Sequence, residues 1–263
     1  MNKLSISNIG WVAENDVEVY DLMKKYGFQG LEIAPTRILP EKPYDRNAEA
    51  HVWSQKLKKD YGFYISSMQS ILYGRIEKIF GNDEERGFLI DYLKKAIDFA
   101  VAIGCKNLVF GCPRNRNYSE GADGNLAVAF FKKLGDYAYS NGTAIGMEAN
   151  PPIYNTNYIN DTEAAFALIK KVNSKGFLLN LDVGTMIQND EDVNELIGKV
   201  HLINHVHISE PWLKPIEERN LHLELKEILR KEGYQRFVSI EMGKVDDVGI
   251  LEDKMAYVRR VFA

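Results

Sequence analysis

Between residues 144 and 242 the chain repeats one pattern four times: a short apolar, β-favouring run that delivers a single side chain able to bind a cation. The runs are AIGMEAN with Glu148, FLLNLDVG with Asp182, INHVHISE with His207 and FVSIEM with Glu241. In each, apolar neighbours flank the polar residue, the pattern of a parallel strand buried on both faces with its polar group near the carboxyl end. Strands of this kind lying side by side bring three carboxylates and one imidazole together. Such a set repels itself unless a divalent cation sits among it, and oxygen donors with one nitrogen suit Mn²⁺ first, with Mg²⁺, Co²⁺ or Zn²⁺ as alternatives. One divalent metal ion per chain is the expectation, with Glu148, Asp182, His207 and Glu241 as its ligands.

The rest of the chain alternates in the same way. Apolar runs predict strands over 3–7, 30–34, 64–69, 107–111, 144–149, 177–183, 203–208 and 237–242, and 3.6-residue periodicity predicts helices over 16–26, 47–61, 83–103, 124–141, 161–173, 190–199, 221–231 and 248–261. Glycines in KKYGFQG, AIGCKN, SNGTA and KEGYQ stand where helices should end. Eight strands alternating with eight helices predict a closed (β/α)₈ barrel of the TIM type, formed as a single domain over 1–263. No GxGxxG follows the first strand and no GxxxxGK[ST] occurs, which argues against an open nucleotide-binding sheet. Strand alternation places Asn180, Ser239 and His205 on the inward face with Asp182, Glu241 and His207, and puts Leu179, Leu181, Val206, Val238, Ile240 and Asn204 outward. An acidic residue near a strand end is often a helix cap, but a cap belongs after the strand. These residues precede the last apolar neighbour, so the set reads as ligands.

In a barrel, the connections after the strands gather on one face. There Glu32 and Gln69 are expected to meet substrate hydroxyls or to orient the ligands, and Trp11, Tyr73, Tyr154 and Trp212 to wall a sugar-sized pocket or pack beneath loops. Arg114, Arg116 and Lys214 either grip an anionic group or are solvated loop charges. His205 is an alternative to His207 as ligand, or a buried histidine bonded to a neighbouring strand. His51, His201 and His222 read as structural or exposed.

Composition narrows the partners. With 33 basic and 37 acidic residues the formal charge is −4, so the surface offers no global attraction to nucleic acid or anionic lipid. No stretch approaches the ~20 apolar residues that span a bilayer, and Cys105 and Cys112 form neither a CxxC pair nor a disulfide framework. The expectation is a cytoplasmic protein acting on a small molecule, with no nucleic-acid or membrane partner, as a homodimer or homotetramer.

The segments GFQGLEIAP, GMEANPP, LNLDVGTM, HVHISEP and SIEMG, with the ligand order Glu, Asp, His, Glu, resemble the xylose-isomerase-like TIM-barrel superfamily, specifically its sugar isomerase/epimerase branch that includes the ketose 3-epimerases. The resemblance spans essentially the whole chain. It implies that Glu148 and Glu241 are both metal ligands and the acid/base pair on opposite sides of the substrate, in a metal-dependent reaction through an enediolate. The chain departs from that pattern at Thr185, where many relatives carry a histidine that contacts substrate or metal, and at Tyr154, where the epimerases carry a further glutamate. After His207 only Lys214 stands near the position of an expected arginine. A dehydratase acting on a keto-sugar or keto-inositol is the alternative, since it uses the same metal-enolate logic. The AP endonucleases of the superfamily use additional histidines that this chain lacks, which makes DNA repair a weaker alternative. A barrel that binds a ligand without turnover is another.

Overall fold

A computed structural model describes residues 2–118 and 120–263. The apolar runs form strands β1 (Lys3–Ser7), β2 (Gly30–Ile33), β3 (Tyr64–Met68), β4 (Leu108–Phe110), β5 (Ile145–Met147), β6 (Phe177–Asp182), β7 (Ile203–Ile208) and β8 (Phe237–Ile240). Every neighbouring pair is parallel, and β8 returns to pair with β1, so the sheet closes and leaves no edge. Around it lie α1 (Asp16–Lys25), α2 (Pro35–Ile38), α3 (Asn47–Tyr61), α4 (Asp83–Ala102), α5 (Asn125–Ser140), α6 (Thr162–Val172), α7 (Val183–Asn189), α8 (Asn220–Lys231) and α9 (Val248–Phe262). Among the described residues, no helix is long and apolar enough to cross a membrane.

Local chemistry fixes the boundaries. Asn82 caps α4 by accepting from the Glu85 amide at 2.9 Å while the Glu85 carboxylate accepts from the Asn82 amide at 3.0 Å. Asp161 caps α6 through the Ala164 amide at 2.7 Å. The glycines expected at helix ends, Gly27, Gly104, Gly142 and Gly233, take φ values of 72°, 74°, 77° and 74°, the left-handed conformation in which a side chain is strained. Between sheet and helices lies a continuous apolar layer. In it Phe131 of α5 meets Phe110 of β4 at 4.9 Å and Phe177 of β6 at 4.7 Å between ring centroids, which ties one helix to two strands.

The barrel interior is polar. Ser5 bonds Ser66 at 2.6 Å, and Asn107 donates to Ser67 at 2.9 Å and to Asn180 at 3.2 Å. Two bulges help to fill it: the register between β2 and β3 skips Ser66, and that between β6 and β7 skips Asn204. The second corrects an expectation. Asn204 does not face the helices; its amide donates to Asn107 Oδ1 at 2.7 Å and to the Lys106 carbonyl at 3.0 Å, because a buried amide needs partners that the apolar layer does not offer.

A second correction follows β6. The helix expected over 190–199 begins instead at Val183 and ends at Asn189, and only a 3₁₀ turn, Val193–Leu196, lies in the expected span. Asp182 is the cap that starts it, accepting from the amides of Thr185 at 3.0 Å and Gly184 at 3.3 Å. Asp190 stops it in the left-handed region at φ 55°.

Candidate metal centre

At the carboxyl end of the barrel, His207 is the hub. It is the fifth residue of β7 and is fully buried. Its Nε2 lies 2.8 Å from Glu32 Oε2, and its Nδ1 lies 3.1 Å from both Glu148 Oε1 and Glu241 Oε2. Glu32 comes from the end of β2, Glu148 follows β5 directly and Glu241 follows β8 directly. Glu148, His207 and Glu241 each offer one donor atom, all within 4.8 Å of one another.

The donor set is suited to a cation. With Nε2 donating to Glu32, Nδ1 presents a lone pair beside two carboxylate oxygens, and the Asn180 amide, 3.2 Å from Nδ1 and 2.8 Å from Glu148 Oε1, leaves Glu241 Oε2 facing that lone pair with no proton between them. The protein alone resolves this by protonation. Burial opposes charge on His207, yet Glu241, Glu32 and Glu148 hold its pKa well above the ordinary histidine value. Burial pushes Glu241 up to about 7, against the pull of His207. Burial also works against ionised Glu32, but His207 and His205 hold its carboxyl well below the usual range. A divalent ion at the same place satisfies the donors without those protons. The Glu32–His207 contact is then the carboxylate–histidine pairing that orients a ligand from behind.

Asp182 stands differently from the other three. It is partly buried and close enough for Glu148 to join burial in raising its pKa. Its oxygens, however, are occupied by the Thr185 hydroxyl at 2.7 Å, by the Ser209 hydroxyl and by the two amides at the start of α7. As a helix cap and a ligand candidate at once, it has to share its lone pairs between the two tasks.

Two supporting residues, Asn180 and Asn150, were not singled out as site residues from the sequence. Asn180 donates to Glu148 Oε1 at 2.8 Å, and Asn150 to Glu148 Oε2 at 3.2 Å. Gln69 donates to Glu32 Oε1 at 2.9 Å and to Ser7 Oγ at 2.7 Å, so it contacts the pair behind the imidazole. Arg116 is fully buried rather than a solvated loop charge, donating to the Glu148 carbonyl at 2.6 Å and Asn150 Oδ1 at 2.7 Å. It is a strut that holds the backbone of the Glu148 loop. Asn150 and Asn180 were detectable only as polar residues on or next to inward positions.

The remaining candidates are scattered. Thr185 is buried and donates to Asp182 and to the Ala149 carbonyl at 2.9 Å. His205 lies at right angles to His207, 5.3 Å between ring centroids, with Nε2 3.4 Å from Glu32 Oε2. Trp11 is buried, its indole N–H bonded to Asp16 at 2.8 Å. Tyr73 is 72% exposed and lines a separate cavity with Tyr44, Phe88 and Tyr92. Arg114 and Lys214 are exposed. Tyr154 and Trp212 meet at 5.3 Å, and the Tyr154 hydroxyl accepts from the Trp212 amide at 2.8 Å. That contact holds Trp212 at φ 63°, a strained conformation for a bulky residue.

Comparison with known proteins agrees with this architecture. The family model for the xylose isomerase-like TIM barrel matches residues 20–261. No curated protein matches by sequence. Among solved structures, a 3-keto-D-glucoside 4-epimerase from E. coli superposes with a TM-score of 0.77 at 19% identity, covering 99% of this chain and 100% of that one. A D-psicose 3-epimerase from Clostridium cellulolyticum H10 gives a TM-score of 0.77 at 16% identity over 99% of each chain. A family 2 AP endonuclease from Brucella melitensis gives 0.72 at 20% identity over the whole of both.

Proposed function

This chain belongs to the xylose isomerase-like TIM-barrel family, and from that premise we propose that it is a divalent-metal-dependent isomerase or epimerase of a sugar or sugar derivative. The observation that carries the reading is the meeting of Glu148 and Glu241 at one nitrogen of His207, each at 3.1 Å. Neighbours of the same fold include a 3-keto-glucoside epimerase and ketose 3-epimerases, which supports a carbohydrate substrate.

Glu148, His207 and Glu241 would hold the ion, with Asp182 as fourth ligand once it yields one of its hydrogen bonds. The ion would supply Lewis-acid stabilisation of the negative charge that develops on the oxygens of an α-hydroxyketone when its C–H proton leaves. The protein's own groups do the rest. Glu241, set 3.1 Å from His207 Nδ1 at the end of β8, is one group placed to take or return the proton. Glu148 is the partner acid or base, its carboxylate aimed by Asn180 and Asn150. Two carboxylates reached from different strands allow a proton to leave one face of a carbon and return to the other.

Incubation with a panel of ketoses and keto-glycosides in deuterated water, with Mn²⁺ present, tests the proposal. Deuterium entering the carbon next to the carbonyl, with epimer or isomer formed, is the expected result. Loss of water to give a dehydrated keto product would move the protein to the dehydratase class, and no exchange across the panel would count against catalysis on this chemistry.

A further inference from the structure

The opposite end of the barrel carries a second built feature. A cavity of about 430 Å³ opens at the amino-terminal ends of the strands, lined among others by Lys3, Lys106, Thr143, Lys175, His205 and Arg236. The lining contains these four cationic side chains and no carboxylate. In a chain whose net charge is −4, such segregation is a local excess of positive charge.

None of the four cations is in an ion pair among the described residues. Lys3 and Lys175 rest over the rings of Phe237 and Tyr139 at 5.8 and 5.6 Å, Lys106 donates to the Gly142 carbonyl at 2.9 Å, and Arg236 donates to the Ile203 carbonyl at 3.1 Å and to Asn204 Oδ1. Each contact leaves donors over, since an ammonium carries three N–H groups and a guanidinium five. The recess also contains unpartnered polar atoms. Thr143 is 6% exposed and its hydroxyl has no hydrogen-bond partner; His205 is fully buried and neither ring nitrogen has a well-formed hydrogen bond. Buried polar groups without partners are uncommon; His205 Nε2 turns toward Glu32 at 3.4 Å, so the Thr143 hydroxyl is the one that belongs to the recess alone, beside the four cations.

We propose that this recess is a binding site for a compact multivalent oxyanion of the phosphate class, separate from the metal centre. The cations offer charge-assisted hydrogen bonds from the rim, and the Thr143 hydroxyl offers a donor within it. At about 430 Å³ the cavity has room for a phosphate group together with its carrier or its hydration water. Its place at the foot of the barrel keeps it away from the loops that surround Glu148 and Glu241.

Calorimetric titration of the metal-loaded protein with inorganic phosphate, against chloride at matched ionic strength, tests the site. Saturable one-to-one binding is expected. The dissociation constant should rise about tenfold or more in Lys3→Gln and in Lys175→Gln, two exposed side chains whose loss leaves folding intact, and also in Thr143→Val. Binding should persist in Asp182→Asn and Glu241→Gln, which alter only the other end of the barrel. Absence of saturable binding would overturn the proposal, as would unchanged affinity in the double variant Lys3→Gln/Lys175→Gln. Loss of binding in Asp182→Asn or Glu241→Gln would place the phosphate at the metal centre and overturn it equally.

Discussion

His207 Nε2 lies 2.8 Å from Glu32 Oε2, and this one contact decides which nitrogen of the imidazole faces the other carboxylates. Glu32→Gln keeps the size but exchanges a charged acceptor for an amide. Metal affinity should fall by about 10–100-fold, as for other carboxylates behind a ligating histidine. Activity should return when Mn²⁺ is raised to saturation. Metal titration followed by calorimetry reads this directly, and an unchanged affinity would show that the contact plays no part in orienting the ligand.

Gly111 stands where a side chain would strike Glu148. A Cβ built there overlaps Glu148 Oε2 and lies 2.9 Å from its Cδ. Gly111→Ala should therefore fold, because the obstacle is the end of a side chain, yet displace the carboxylate by about an ångström. A misplacement of that size costs roughly 10²-fold in turnover. A variant with wild-type melting temperature and wild-type turnover would mean that the position of Glu148 is not critical.

His222 provides a test of stability against pH away from the metal centre. It is buried on α8, with Nδ1 2.8 Å from the Tyr257 hydroxyl, and burial lowers its pKa from 6.5 to about 4. Between those values the unfolded chain binds the proton and the folded one does not, so stability is lost as the pH falls through this window. The shift corresponds to a contribution on the order of 3 kcal/mol. Urea denaturation at intervals from pH 7 to pH 4 should give a flatter profile for His222→Gln than for the wild type, and parallel profiles would argue against it.

Asp182→Asn separates ligand from cap. Asparagine still accepts hydrogen bonds from the Gly184 and Thr185 amides, so α7 should stay in place. What changes is the charge offered to the ion. Metal binding should weaken, and excess Mn²⁺ should recover turnover at least in part. If saturating metal leaves the variant inactive, Asp182 has a role in proton transfer as well.

Much of the barrel was legible because each strand is short, apolar and bounded by turn residues. β1, β7 and α3 have the expected limits, and the other ends, apart from the helix after β6, differ by no more than two residues. The polar side chains at strand ends were legible as a set, since one carboxylate is often a helix cap but four successive apolar runs that each carry a ligand type are hard to obtain from caps. Asp182 shows where that reasoning stops, because an aspartate after a strand makes an equally good helix cap and sequence does not reveal which amides it meets. Asn204 was misplaced because strict alternation ignores a bulge, and a bulge depends on the register of the neighbouring strand. Arg116 was read as an anion grip or a solvated loop charge and is neither; its burial depends on the carbonyls of Glu148 and Ile159, which are distant in sequence.

The central claim is that Glu148 and Glu241 transfer the proton, beyond any part they take in binding metal. Solvent-deuterium exchange into a turned-over ketose, measured on metal-saturated wild type, Glu148→Gln and Glu241→Gln, tests it most directly. Each variant should lose roughly 10²–10⁴-fold in exchange rate at saturating Mn²⁺, and with a pair of epimers each should lose exchange preferentially with one of the two. Near-normal exchange and turnover in both metal-saturated variants would contradict the assignment, even with the metal bound where His207 places it.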